Sequence, residues 1–396
     1  MTDNNNPFSA IDSTLGYLYQ VRSALLWSLQ RLKNESDFTV SIETLDDVTF
    51  ATTGGEATDL LQTKHHRSGV ASLTDACPDL WKTLRIWFEG HLSRQLPVNA
   101  HLYLVTTGIA ATGSAASSLR ETGRDVAKAL QALDATASTS TNQNNQEAYK
   151  AYLSASPEIR FSILDKIMIK DAAPLINDLD SALRQEIFWA VGKEQHISFL
   201  ARLEGWWLRR VLKQLCNANH DRIGGVEIDS QMADLREQFK QESLPIDDDL
   251  LDFYLDDATK IAHENFTFVK QLEIIVAGKG RIAAAIRDYY RAYKQRSRWL
   301  RDDLVIDLDL HKYEKRLIEE WELIFQAMCD ELGEAETKEV KAKAARSVLL
   351  WAETTTIPIR PNVTEPFVTR GSLHMLADEM RIGWHPEFRD LLAAIL

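Results

Sequence analysis

Cysteine is scarce: Cys77, Cys216 and Cys329 are the only three in 396 residues, far apart and without CxxC or Cys/His spacing. That excludes a disulfide scaffold and structural zinc, and it fits a reducing compartment. Long apolar runs are missing too. No window approaches the ~18 uninterrupted apolar residues of a membrane helix, and the opening MTDNNNPFSAIDS has neither the basic nor the apolar part of a secretion signal. A cytoplasmic protein with no membrane association is expected. Positive charge is in deficit, 45 Lys and Arg against 58 Asp and Glu, for a net of −13. A nucleic-acid coat working by bulk attraction is thereby excluded, whereas local contact with DNA is not. The acidic excess also leaves room for carboxylates that hold a divalent cation. Neither GxxxxGK(S/T) nor GxGxxG occurs, so any ATPase activity must belong to a separate subunit.

What is present is an ordinary globular composition, 45% apolar and 26% charged, in a chain long enough for two or three domains. Leu15 to Leu32 repeats apolar residues at three and four positions and predicts an amphipathic helix. Phe38 to Phe50 is rich in β-branched residues, Gly54-Gly55 marks a turn, and Thr58 to His65 continues in the same style, which predicts strand, strand, turn, strand. Leu80 to Leu92 returns to helical spacing, and Ala100 to Thr107 reads as a short strand. The order predicts an α/β core over about residues 10–115, a mixed sheet flanked by helices. Residues 134–146, DATASTSTNQNNQ, lack large apolar groups and predict a loop. Ser162 to Ile169, Leu175 to Val191 and Phe199 to Leu215 read as helices, the last with Trp206 and Trp207. Asn217 to Asp229 has two glycines and no period. It is the expected boundary between an N-terminal domain, 1–220, and a mainly α-helical C-terminal domain, 221–396.

The chemistry concentrates in the hairpin. Glu43 and Asp47 lie on its first arm, and Gln62 and Lys64 share a face of the second because alternate strand residues point the same way. Phosphodiester hydrolysis wants an oxygen cage for a hard divalent ion and a cation near the attacked phosphate. Asp47 is the expected metal ligand, Gln62 offers an amide oxygen, and Glu43 is a second possible carboxylate. The Lys64 ammonium is suited to polarising water or neutralising charge on the phosphate. Adjacent Asp46 leaves the ligand ambiguous by one position. Parity with Glu43 along an unbroken strand favours Asp47, and a bulge would favour Asp46. The plain alternative is a solvated hairpin face with Lys64 paired to Asp47. Gln20 on the first helix is either an accessory ligand or a surface glutamine. His65, His66 and Arg67 are candidates for contact with a DNA backbone. Further along, Arg281, Arg287, Arg291, Lys294, Arg296, Arg298 and Arg301 put seven cations in 21 residues. This stripe either grips DNA or an acidic partner, or packs its stems within the fold.

A carboxylate, a hairpin and Q-x-K together resemble the PD-(D/E)xK nuclease core in its glutamine-bearing variant. The surrounding Gly16-Tyr17-Leu18-Tyr19-Gln20, Leu45-Asp46-Asp47-Val48 and Leu61-Gln62-Thr63-Lys64-His65-His66 are similar to the double-stranded DNA endonuclease domain of CBASS-type anti-phage effectors. Leu203-Glu204-Gly205-Trp206-Trp207, Asp288-Tyr289-Tyr290-Arg291-Ala292-Tyr293, Gln295-Arg296-Ser297-Arg298-Trp299 and Gly383-Trp384-His385-Pro386 resemble the nuclease subunits of ABC three-component systems such as Lamassu. The resemblance implies hydrolysis of double-stranded DNA with Mg2+ or Mn2+ and low sequence specificity. It further implies an SMC-like ATPase subunit and a small accessory subunit that hold the nuclease inactive, and a homo-oligomer once it is released. No proline precedes Asp47, a departure from the superfamily pattern. A catalytically inactive scaffolding subunit and an RNA-cleaving toxin are the alternative readings, and the neutral Gln62 keeps the first of them open.

Overall fold

The β-branched stretch from Phe38 forms three successive strands, β1 (Thr39–Ile42), β2 (Val48–Ala51) and β3 (Ala57–Lys64). They belong to a computed structural model that describes residues 10–65, 72–217, 221–332 and 337–394. Completing the strands are β4 (Ser72–Leu73), β5 (His101–Thr106), β6 (Ile109–Ala110), β7 (Ile167–Lys170) and β8 (Ile223–Gly224). The main sheet runs β7-β5-β3-β2-β1-β8. β1 to β3 and β8 pair antiparallel, while β5 and β7 join β3 in parallel, so the sheet is mixed. The predicted core of 10–115 is therefore too short, because β7 and β8 enter the sheet from further along the chain.

Helices cover both faces of this sheet. α1 (Ile11–Leu32) carries Trp27 and Arg31 against the side of β3 that presents Asp59 and Leu61. On the other side, Leu60, Leu102 and Leu104 pack into a core with Trp81, Trp87 and Phe88 of α2 (Pro78–Leu92). Next come α3 (Ala115–Ser118), α4 (Val126–Thr139), α5 (Gln146–Leu153), α6 (Pro157–Leu164), α7 (Leu179–Glu186), α8 (His196–Cys216) and α9 (Gly225–Gln238). Trp207 is buried and its indole donates to the Val21 carbonyl at 2.8 Å.

In three places the fold departs from the sequence expectation. The polar stretch 134–146 is helical through Thr139, because alanine is the best helix former and short side chains suffice where α5 supplies the bulk. Asp125 caps the Lys128 N–H at 2.9 Å, Leu133 is buried, and Tyr152 donates to Asp134 at 2.7 Å. Residues 162–169 are not one helix: α6 ends at Leu164 and the β-branched pair Ile167 and Ile169 extends as β7. Likewise the helix read over 175–191 shrinks to α7.

The chain forms two compact units, one of residues 1–192 and 199–233, the other of 193–198 and 234–396. The division falls within α9, beyond the glycine-bearing stretch. Gly225 at the start of α9 has no room for a side chain, since a Cβ would stand 2.5 Å from the Ser36 carbonyl oxygen.

The second unit is built from α10 (Asp248–Leu251), α11 (Asp257–His263), α12 (Thr267–Ile274), α13 (Lys279–Arg301), α14 (Asp307–Glu331), α15 (Lys338–Thr354), α16 (Pro366–Asp378) and α17 (Phe388–Ala393). It is helical, as expected. Two of its tryptophans are core residues: Trp299 is fully buried and donates to the Pro245 carbonyl at 2.7 Å, and Trp384 is fully buried against His374. Most of the basic stripe also turns inward. Arg281 makes a two-pronged pair with Glu353 at 2.7 and 2.8 Å, Arg296 pairs with Glu314, and Arg298 forks onto Asp249 at 2.6 and 2.7 Å.

His374 is buried between Phe268 and Trp384. Burial, with Arg370 adding to it, pushes its imidazole down from 6.5 to about 3. The fold thus prefers the neutral ring, whereas the unfolded chain takes up a proton near 6.5. This group costs no stability above that pH, and stability falls as the pH drops towards about 3. His374→Phe should flatten the acid limb by up to ~1.4 kcal/mol per pH unit. Urea denaturation between pH 7 and 4 measures it, and an unchanged slope would place the histidine in water.

Candidate active site

The turn between β1 and β2 does not continue a strand. Glu43 adopts φ +53°, a left-handed backbone that a side chain rarely takes, and its N–H donates to the Asp47 carbonyl at 3.1 Å. Residues 43–47 thus lie outside β1 and β2, and strand parity does not choose between Asp46 and Asp47. Instead the turn aims both carboxylates at β3.

Gln62 is buried on the α2 side of the sheet, and its amide nitrogen donates to Asp46 Oδ1 and, at 3.0 Å, to Asp47 Oδ1. Its amide oxygen accepts from Lys64 Nζ at 3.0 Å. Carboxylates, amide and ammonium thus form one continuous chain on one face, with the lysine linked to Asp47 through the glutamine and not by the direct pair of a plain hairpin. Asp47 Oδ2 accepts from the Thr63 N–H at 2.7 Å and from its hydroxyl at 2.9 Å. Thr63, although it alternates with Gln62 and Lys64 along β3, is therefore part of the site through both its main chain and its hydroxyl.

Asp46 is the more buried of the two acids. The Trp87 indole donates to its Oδ2 at 2.9 Å and the Asp47 N–H to its Oδ1 at 2.9 Å. Burial pushes its carboxyl above the usual range, the neighbouring Asp47 charge adds to that, and the donated hydrogen bonds work against it. Trp87 was legible only as a core residue of α2, since no local signal announces an indole donating to an acid 41 positions earlier. Trp87→Phe keeps the ring and removes the donor. A loss of about 1–3 kcal/mol is expected in urea denaturation. Combined with Asp46→Asn, the losses should fall short of additive; strict additivity would mean that the bond contributes nothing.

Gln20 is buried and donates to Glu43 Oε1 at 3.1 Å and to the Asp47 carbonyl. It is neither a surface glutamine nor a group aimed at the carboxylate pair: it clamps the turn. Glu43 itself is exposed and is tied to the turn through Gln20. His65 lies against the Tyr19 ring, centroids 4.8 Å apart. His66 and Arg67 fall outside the described residues.

The donors at hand, two adjacent carboxylates and an amide, are oxygen ligands of the kind a hard divalent ion takes. Among the described residues no three of His, Cys, Asp and Glu converge into a metal cluster, so any such ion would depend on Gln62 and on main-chain or solvent oxygens.

Residues 268–392 match the family described as C-terminal domain 7 (CTD7) of the ABC-three component (ABC-3C) systems. That segment, about a third of the chain, is thus similar to a C-terminal domain of ABC-3C systems. No curated protein matches the chain. The CTD7 segment runs from α12 to α17 and contains the motifs Asp288 to Tyr293, Gln295 to Trp299 and Gly383 to Pro386. It does not reach Asp47, Gln62 or Lys64. No helix among the described residues is long and apolar enough to cross a membrane.

Proposed function

We propose that this ABC-3C component is a divalent-cation-dependent endonuclease of double-stranded DNA and the effector of an anti-phage system. One observation carries the reading: Asp46, Asp47, Gln62 and Lys64 form a single hydrogen-bonded chain on one face of the hairpin. Magnesium or manganese, when bound, supplies Lewis-acid polarisation of a phosphate oxygen and a water acidic enough to attack. Asp47, the less buried acid, would be the carboxylate that holds such an ion, and the Gln62 amide oxygen would be a further ligand. Asp46, gripped by Trp87, fixes the Asp47 main chain and Gln62 from behind. The Lys64 ammonium meets the charge that grows on the phosphate oxygens. The unit carrying CTD7 docks the SMC-like ATPase and small accessory subunit that restrain cleavage. Release and self-association then bring a second site to the second strand.

Supercoiled plasmid incubated with the purified protein should be nicked and linearised with Mg2+ or Mn2+ and left intact with EDTA. Cleavage should be faster for self-associated protein than for monomer. Absence of cleavage with either ion in every assembly state would overturn the nuclease reading.

One feature favours a second reading, a silent DNA-binding scaffold: all four oxygens of Asp46 and Asp47 already accept from protein donors. Binding of duplex without cleavage would support it. Cleavage confined to RNA in the same assay would identify an RNA-cutting toxin.

A further inference from the structure

We propose that a cleft beside α13 binds an acidic segment of a partner subunit and seats a carboxylate between Lys294 and Arg301. The inference rests on the reading that this unit docks partners, and it names the place and the chemistry.

The cleft encloses about 430 Å3 within the second unit, a volume suited to a few side chains. One wall is aromatic. Phe253 stacks on Tyr290 with centroids 4.5 Å apart, and Tyr293 is half exposed beside them. Lys294, Ser297 and Arg301 line it at positions i, i+3 and i+7 of α13, which places them on one face of the helix.

The basic stripe decides what this rim attracts. Arg281, Arg296 and Arg298 are spent on Glu353, Glu314 and Asp249. Arg287 and Arg291 lie 3.5 and 3.8 Å from Asp288, and Arg291 also donates to the Leu250 carbonyl at 2.6 Å. Two cations differ. Lys294 is exposed and stands 5.6 Å over the Tyr290 ring, with no carboxylate among the described residues at ion-pair distance. Among the described residues Arg301 meets only its sequence neighbour Asp302, at 3.3 Å, with 70% of its side chain exposed. Asp249 lines the cleft as well, but Arg298 neutralises it.

The result is a local positive concavity on a chain whose net charge is −13. An incoming carboxylate finds the Lys294 ammonium and the Arg301 guanidinium, while the Ser297 hydroxyl is spent on the Tyr293 carbonyl at 2.7 Å; an apolar or aromatic neighbour of that carboxylate finds Tyr290 and Tyr293. A duplex backbone is the poorer match. It needs a row of cations along a surface it can lie on, whereas five of the seven here face internal acceptors and the other two rim a hollow.

The probe is a fluorescein-labelled decapeptide of aspartates and glutamates around one phenylalanine, titrated with the full chain and followed by anisotropy. Lys294→Glu/Arg301→Glu should weaken binding at least tenfold. Lys312→Glu/Lys315→Glu, an equal double reversal at two exposed side chains of α14, should not. Lys294→Gln/Arg301→Gln serves if the reversal misfolds, and it should weaken binding at least threefold. Lys64→Ala should bind like wild type, which separates this result from the nuclease reading. Absent peptide binding, equal binding by the cleft variants, or displacement of the peptide by a 20-bp duplex of about equal potency would each overturn the proposal. Co-purification of the partner subunits with the reversal variant would overturn the cleft while sparing the docking reading. Failure of the wild type to co-purify with them would remove both.

Discussion

Lys64→Ala is expected to cut the rate of plasmid cleavage by ~100-fold or more, the usual effect of removing one group that stabilises charge in a transition state. Stability should stay within ~0.5 kcal/mol of wild type, because Lys64 is half-buried and among the described residues its ammonium makes only the bond to Gln62 Oε1. Added metal should not restore the rate, since the missing charge is not a ligand. Asp47→Ala should abolish cleavage as well, but it should also cost stability, about 1–3 kcal/mol, because the Thr63 N–H and hydroxyl lose their acceptor. Asp47→Asn keeps an acceptor and weakens only the hold on a cation, so raising Mn2+ should recover part of the rate. Asp46→Asn should be the milder change for cleavage, because Asp46 is turned towards Trp87 and the interior. Quantitative gel assays over a metal titration separate these outcomes. Cleavage by the Lys64 and Asp47 alanine variants at the wild-type rate would remove the site from the hairpin.

The hairpin was legible because its side chains alternate, so the shared face of Gln62 and Lys64 follows from a period of two residues and nothing else. The turn was not. Glu43 leaves the strand with a left-handed backbone, and no residue type there announces it. Consequently the choice between Asp46 and Asp47 could not be made from parity, and the structure brings both acids to Gln62. Strands β7 and β8 have four and two residues, too few to display a period, and they escaped notice for that reason. The stretch 134–146 misled in the opposite way: low bulk resembles disorder, yet alanines against the large residues of α5 pack well. In the C-terminal unit the excess of cations on α13 was plain from the sequence. Their acceptors, 18 to 72 residues distant for Arg281, Arg296 and Arg298, were not.

Gly371→Ala should be the most damaging small substitution in the C-terminal unit. A Cβ at this position of α16 would stand 2.1 Å from the Asp288 carbonyl oxygen and 2.5 Å from the Ala292 Cβ, both on α13. Neither atom can rotate aside, one being backbone and the other the first side-chain atom, so the two helices must part. Parting them strains the Arg370 to Asp288 pair, 3.0 Å long and attached to a buried carboxylate, and the Arg296 to Ser372 contact at 3.3 Å. Inserting one methyl into a tight core ordinarily costs about 1–3 kcal/mol, and a contact this short against main chain should reach or exceed the upper end. The buried Trp299 and Trp384 provide a fluorescence signal for urea denaturation of this unit. Gly280→Ala is the control: it also lies in a helix, α13, but nothing approaches its Cβ position within 4 Å. It should gain up to ~1 kcal/mol from helix propensity alone. Because α13 carries the Lys294 and Arg301 rim, Gly371→Ala should also weaken binding of the acidic peptide, whereas Gly280→Ala should leave it intact. A Gly371→Ala protein as stable as wild type would mean that α13 and α16 do not meet at this distance.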